Sequence, residues 1–193
     1  MAVLMLFRYR ATGQNRVPAS GAVLVVSNHQ SNLDPVLVGI ACHRRLNYLA
    51  RKTLFRFAPF GWLIQSLDAI PLDRDGLGLE GLKETMRRLK REQAVLLFPE
   101  GTRTHDGQIA PLRPGFCGLA RRGKVSLLPV AIDGGYEAWP RDRLLPRRAR
   151  VAVCFGRPLS SDVVAQYEDD QLVELVRQRM LECQAIARRM NGR

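Results

Sequence analysis

The sequence predicts an α/β fold: a single-domain sandwich with a central, mostly parallel twisted sheet flanked by helices. Three observations carry that expectation. Residues 22–27 (AVLVVS), 94–98 (AVLLF) and 127–132 (LLPVAI) are short apolar runs without polar alternation, as in strands buried on both faces. Segments of helical periodicity lie between them, the alternation that builds a helix-covered sheet. A chain of 193 residues with 46% hydrophobic content is long enough for one core and short for two.

Taken in order, residues 1–21 read as a lead-in, whose apolar start at 1–9 (MAVLMLFRY) is a candidate membrane contact. Residues 22–134 form the core. The strand at 22–27 is followed by a helix at 35–42 and weaker strands at 46–50 and 68–72, with a helix at 53–67 between those two. Helices at 78–91 and 115–122 flank the strand at 94–98, and the strand at 127–132 closes this part. Residues 135–193 hold a basic loop at 140–150 (PRDRLLPRRAR), a strand at 150–155 and a long helix at 169–190. In that helix Leu172, Leu175, Val176, Arg179 and Cys183 recur at helical spacing, with Glu174, Arg177, Gln178 and Arg188 for the wet face.

Thirty Lys and Arg against eighteen Asp and Glu leave a net charge of +12, which calls for an anionic partner. Nucleic acid, anionic lipid headgroups, phosphorylated substrates and acidic carrier proteins all answer to such a field. No helix-turn-helix glycine pattern, zinc spacing or RNA-binding strand signature supports the nucleic-acid reading. Cys42, Cys117, Cys154 and Cys183 are scattered, without a C-x-x-C pair or metal-ligand spacing, and read as buried thiols of a reducing compartment. No apolar run reaches the roughly 18 residues of a membrane span, and the start lacks the basic region and cleavage site of a secretion signal.

The strand at 22–27 runs directly into Asn28-His29-Gln30-Ser31-Asn32-Leu33-Asp34-Pro35, at the strand end where open α/β sheets place their sites. Five residues on one helix would turn through roughly 500°, so His29 and Asp34 cannot meet inside a single helix. Asp34 before Pro35 has the signature of a helix N-cap, with His29 in the preceding loop. Spacing leaves two readings open: a carboxylate-oriented general base, or a cap with a satisfied buried histidine. Glu100, Gly101, Thr102 and Arg103 form a tight turn after the strand at 94–98. That turn is either a phosphate cradle, with a glycine for close approach and a guanidinium for planar recognition, or a loop stiffened by a Glu100–Arg103 ion pair. Arg74 and Pro129 lie at two further strand ends and say little alone. No G-x-S-x-G elbow is present and Cys117 has no motif partner, so a covalent acyl-enzyme has no support.

Together and in this order, these segments resemble the glycerophospholipid acyltransferase family, in particular the bacterial 1-acylglycerol-3-phosphate acyltransferases. The likeness runs from about residue 22 to 134. The family's N-H-x-S-x-x-D block, the HX4D motif, is matched by Asn28 to Asp34, and its F-P-E-G-T-R block by Phe98 to Arg103. The resemblance implies His29 and Asp34 as the catalytic pair, supported by Asn28, Ser31 and Pro129. It also implies acceptor-phosphate binding by Arg74, Glu100, Gly101, Thr102 and Arg103. Arg113, before Pro114 and Gly115, stands where many members have a basic residue directly before a glycine. The implied reaction moves a fatty acyl group from acyl-CoA or acyl-carrier protein to the sn-2 hydroxyl of 1-acylglycerol-3-phosphate, giving phosphatidic acid, with no metal, cofactor or covalent intermediate. Glycerol-3-phosphate, a lyso-ornithine lipid or another lysophospholipid remains open as acceptor. The implied setting is peripheral, on an anionic membrane surface at its cytoplasmic face, without a transmembrane helix. Many members begin with longer hydrophobic helices, so attachment here is expected to be shallower.

Overall fold

In the computed structural model, which describes residues 7–51, 69–72 and 79–193, seven strands pair into one sheet. They are β1 (Phe7–Thr12), β2 (Val23–Ser27), β3 (Leu46–Arg51), β4 (Ala69–Leu72), β5 (Ala94–Leu97), β6 (Ser126–Asp133) and β7 (Ala149–Phe155). Their order is β1-β7-β6-β2-β5-β3-β4. The pairs β6/β2, β2/β5, β5/β3 and β3/β4 are parallel, β6/β7 is antiparallel, and β1 runs parallel to β7. All six expected strands form. The seventh, β1, lies within the stretch read as a lead-in; its sequence FRYRAT alternates a buried Phe7 with exposed Arg8 and Arg10, too short a pattern to stand out. Charged residues on such an edge discourage pairing with another chain.

The described helices are α1 (Asp34–Ala41), α2 (Leu79–Lys90), α3 (Gly115–Gly123), α4 (Gly135–Ala138), α5 (Ser161–Ala165) and α6 (Asp169–Asn191). The expected helix at 53–67 falls outside the described residues. α4 and α5 were not expected; one turn of helix carries too little periodicity to read. No helix among the described residues is long and apolar enough to cross a membrane.

Successive strand residues face opposite layers. Val23 and Val25 join Leu37, Val38, Leu96, Val130 and Phe155 on the face covered by α1. Leu24 and Val26 join Leu89, Val95, Phe116, Leu127 and Met180 under α2, α3 and α6. Burial on both sides explains why β2 is apolar from Val23 to Val26, each such side chain contributing roughly 1.5–3 kcal/mol relative to exposure. All four cysteines are free and buried, as their scatter suggested.

α6 begins at a reciprocal cap between Glu168 and Gln171 and ends at Gly192, whose φ of 79° suits glycine. Its buried stripe is Leu172, Val176, Met180, Cys183 and Ala187. Leu172, Val176 and Cys183 lie on it as expected, while Leu175 and Arg179 are only half-buried, because the face that meets β6 and β7 is turned from them toward Met180 and Ala187.

Pro129 sits in the central strand β6, where a missing N–H is normally a fault. The ladder to β7 runs from Asp133 to Val130, and an isolated bridge then joins Leu127 to Leu159. Three residues on one side (156–158) thus oppose two on the other (128 and 129), a bulge, and Pro129 lies inside it while its carbonyl accepts from the Gly156 N–H at 2.8 Å.

Candidate active site

β2, β5 and β6 are neighbours with parallel direction, so the loops after them emerge at one end of the sheet. These loops hold His29 with Asp34, the turn at 98–104, and the segment opening α4.

Asn28 ends β2 by replacing main-chain pairing with side-chain pairing. Its Nδ2 donates to the Ile132 carbonyl at 2.9 Å, and the Ile132 N–H donates to its Oδ1 at 2.7 Å. The chain can then leave the sheet without leaving Ile132 unsatisfied.

His29 is held at both main-chain groups by the turn after β5. Its N–H donates to Glu100 Oε1 at 2.8 Å, and its carbonyl accepts from the Thr104 N–H at 2.8 Å. The ring stacks on Phe98, with centroids 4.1 Å apart and planes 17° off parallel. Its Nδ1 lies 2.8 Å from Asp34 Oδ2. That oxygen also accepts from the N–H groups of Gln30 at 2.5 Å and Ser31 at 2.8 Å. A carboxylate oxygen only accepts, so Nδ1 carries the proton and Nε2 keeps its lone pair. The imidazole is 21% exposed while Asp34 is fully buried, which leaves the ring reachable from outside and its partner sealed.

The expected N-cap at Asp34 does not form. Leu33 occupies the cap position in right-handed helical geometry without a side-chain bond, and Asp34 is the first helical residue. Its carboxylate turns back onto the loop because two loop amides and the imidazole compete successfully for it. The other oxygen, Oδ1, is buried with no hydrogen-bond partner among the described residues. A methyl group on Gly135 would stand 3.0 Å from Oδ1, so glycine is what lets α4 close over the carboxylate.

Glu100 works beneath the histidine. Oε1 accepts from His29, and Oε2 from the Ala110 N–H at 3.1 Å, so both oxygens are taken by main-chain donors. Burial raises its carboxyl to about 7, against the lowering effect of those two N–H groups and with a further raising effect from Asp34 and Asp106.

The turn itself is open to solvent at Gly101 and Thr102, with Arg103 half-buried. Gly101 has φ +72°, and the exposed Arg113 lays its guanidinium over it: a methyl group there would meet Arg113 Cζ at 2.8 Å. Arg113, fixed by its own N–H on the Pro99 carbonyl at 3.0 Å, therefore joins Gly101 at the turn that holds His29. Arg74 lies outside the described residues. Ser31, fully buried, accepts the Leu33 N–H on Oγ at 3.1 Å and shapes the loop from within.

Sequence reasoning missed Gln30. Its Nε2 donates to the Gly107 carbonyl at 2.8 Å, and its Oε1 accepts from the N–H groups of Gly135 at 2.9 Å and Tyr136 at 3.3 Å. One buried amide thus ties together the loops that follow β2, β5 and β6. Nothing local marks it, since its partners lie 77 to 106 residues away.

A histidine held by a buried carboxylate thus lies beside an arginine-bearing turn at the mouth of a mostly parallel sheet, the placement of a site in an open α/β enzyme. A model of the Acyltransferase family matches residues 8–133, more than half of the chain, and the chain belongs to that family. It is 27% identical over 147 residues to the 1-acyl-sn-glycerol-3-phosphate acyltransferase of Bacillus subtilis (strain 168), covering 76% of this chain and 71% of that protein. Similarity to the protein of the same description from Streptococcus pneumoniae (strain ATCC BAA-255 / R6) is 28% over 149 residues, covering 76% and 53%. The chain thus spans from about half to somewhat over two thirds of these relatives. The fold matches the crystal structure of the 1-acyl-sn-glycerophosphate (LPA) acyltransferase PlsC from Thermotoga maritima, with a TM-score of 0.82 at 23% identity over 96% of this chain and 75% of that one.

Proposed function

We propose that the chain is a 1-acyl-sn-glycerol-3-phosphate O-acyltransferase using His29 as general base. The observation that carries this is the single oxygen Asp34 Oδ2, which accepts a hydrogen bond from Nδ1–H of His29 and leaves the Nε2 lone pair free to take a proton. Nε2 removes the proton of the acceptor's sn-2 hydroxyl as its oxygen attacks the thioester carbonyl carbon of acyl-CoA or acyl-carrier protein. The C–S bond then breaks, and the proton passes from the imidazolium to the departing thiolate. Asp34 stabilises the imidazolium meanwhile. Arg103, Arg113 and, from outside the described residues, Arg74 supply guanidinium groups for the headgroup phosphate. The scheme uses no metal or resident cofactor. A peripheral position on a membrane follows from the lipid nature of the acceptor.

The decisive experiment offers the purified protein a panel of acceptors (lysophosphatidate, glycerol-3-phosphate, a lyso-ornithine lipid and larger-headgroup lysophospholipids) with acyl-CoA and acyl-carrier donors, read by mass spectrometry. Lysophosphatidate is the expected acceptor, and preference for another would reassign the substrate within the same chemistry. His29→Ala is expected to lower turnover roughly 100- to 10,000-fold. Turnover within about threefold of wild type would remove His29 from the base role.

A further inference from the structure

We propose that the loop of residues 139–148 is a bilayer-docking element that seats the catalytic end of the sheet on an anionic phospholipid surface. This rests on the lipid-acceptor reading for its purpose but not for its test. Leu144 and Leu145, adjacent at the loop's tip, are 92% and 77% exposed, and apart from Ile40 at 48% they are the large hydrophobic side chains most open to solvent among the described residues. They do not dangle from a loose strand. The Arg147 N–H donates to the Ala138 carbonyl at 2.8 Å, Trp139 Nε1 to the Arg143 carbonyl at 2.9 Å, and Arg147 Nε to the Glu137 carbonyl at 2.5 Å. The loop is closed by its own bonds, which hold the leucines outward.

The charge around the tip selects the surface. Arg141, Arg143, Arg147 and Arg148 flank the leucines in sequence, with Asp142 as the one acid of the segment, and all five are exposed. Two exposed aliphatic side chains flanked in sequence by exposed arginines match the headgroup boundary, where apolar tips enter the acyl region while arginines stay with the phosphates. Nucleic acid offers phosphates but nothing to dehydrate the leucines. Position gives the loop its relevance: it follows α4, whose Gly135 closes over Asp34, and Arg141 Nη1 lies 3.0 Å from Nε2 of His105, one residue beyond the Thr104 that holds His29. Immersing the tip brings the mouth of the site to the bilayer, where a lysolipid headgroup stands with its acyl chain still embedded.

Sedimentation of the full chain with vesicles of phosphatidylcholine, alone or with about 30 mol% phosphatidylglycerol, tests this. Binding is expected to the anionic vesicles and to weaken as salt rises to about 0.5 M. Leu144→Asp with Leu145→Asp should weaken it at least about tenfold, and Arg143→Gln with Arg148→Gln about fivefold for each charge removed, with circular dichroism and melting unchanged. In an independent arm, Leu144→Trp should shift its emission to the blue with anionic vesicles and be quenched by brominated acyl chains. Wild-type binding by the double aspartate variant, or no spectral change in the tryptophan variant, overturns the proposal. So does a double aspartate variant that keeps vesicle binding but loses only the acyl-carrier donor, which would make the loop a protein contact. A wild-type chain that docks yet transfers no acyl group leaves this inference standing and defeats the acyltransferase reading instead.

Discussion

Asp34 concentrates three N–H contacts on Oδ2 and leaves Oδ1 without a partner among the described residues, so an asparagine can put its carbonyl where Oδ2 was and its amide against Gly135. The loop bonds survive in that arrangement, but the negative charge that stabilises the imidazolium is gone. Asp34→Asn is therefore expected to melt within about 5 °C of wild type while its turnover falls about a hundredfold or more. Parallel melting curves and initial rates check this, and near-wild-type turnover would show that orientation alone suffices. At this scale the pair itself was legible only through the N-H-x-S-x-x-D and F-P-E-G-T-R blocks together, since spacing alone left a base and a cap both open. Its geometry was not: the cap reading failed because the competing donors, the amides of Gln30 and Ser31, become visible only once the loop has turned back. Glu100 and Gln30 were harder still, since each acts on main-chain groups that only the folded sheet brings near.

At the scale of elements, the turn after β5 has two duties, holding His29 from below and presenting arginines above. Gly101 divides them. With φ at +72° an alanine costs about 1 kcal/mol in backbone strain, and its methyl group would displace the Arg113 guanidinium. Gly101→Ala is expected to raise KM for lysophosphatidate about five- to tenfold at a kcat within about twofold of wild type. A collapse of kcat at constant KM would assign the turn to His29 alone. The strands were readable because burial on both faces demands uninterrupted apolar runs, whereas β1 has an edge to itself and needs only alternation. Leu172, Val176 and Cys183 were placed on the stripe of α6 correctly and Leu175 and Arg179 were not, because helical spacing fixes a period and not a phase; only contact with β6 and β7 fixes the phase.

For the molecule as a whole, a raised carboxyl ties stability to pH. The folded chain keeps its proton on Glu100 up to about 7, where the unfolded chain has released it from about 4.5. Between those values the folded state binds more protons, so stability from this group falls as pH rises and levels off above about 7. The loss is on the order of 3 kcal/mol, and Glu100→Gln should abolish it. Urea unfolding of both proteins between pH 4.5 and 8 tests this, and a difference constant across that range would show that Glu100 titrates normally. Mostly parallel architecture was foreseeable from the alternation of apolar runs and helices, but the reversal at β6/β7 was not, because an apolar run has no direction.

The carbonyl of Gly107 accepts from Gln30 and also from Gln184 of α6, at 2.8 and 3.1 Å. The loop that pairs His29 with Asp34 is thus framed by bonds spanning 71 to 106 positions, to Glu100, Gly107, Gly135 and Tyr136. Those bonds presuppose that β6, β2 and β5 already lie side by side and that α6 has docked. The geometry around a histidine and an aspartate five residues apart therefore depends on contacts of high sequence separation, whose loop-closure entropy must be met before the pair is framed.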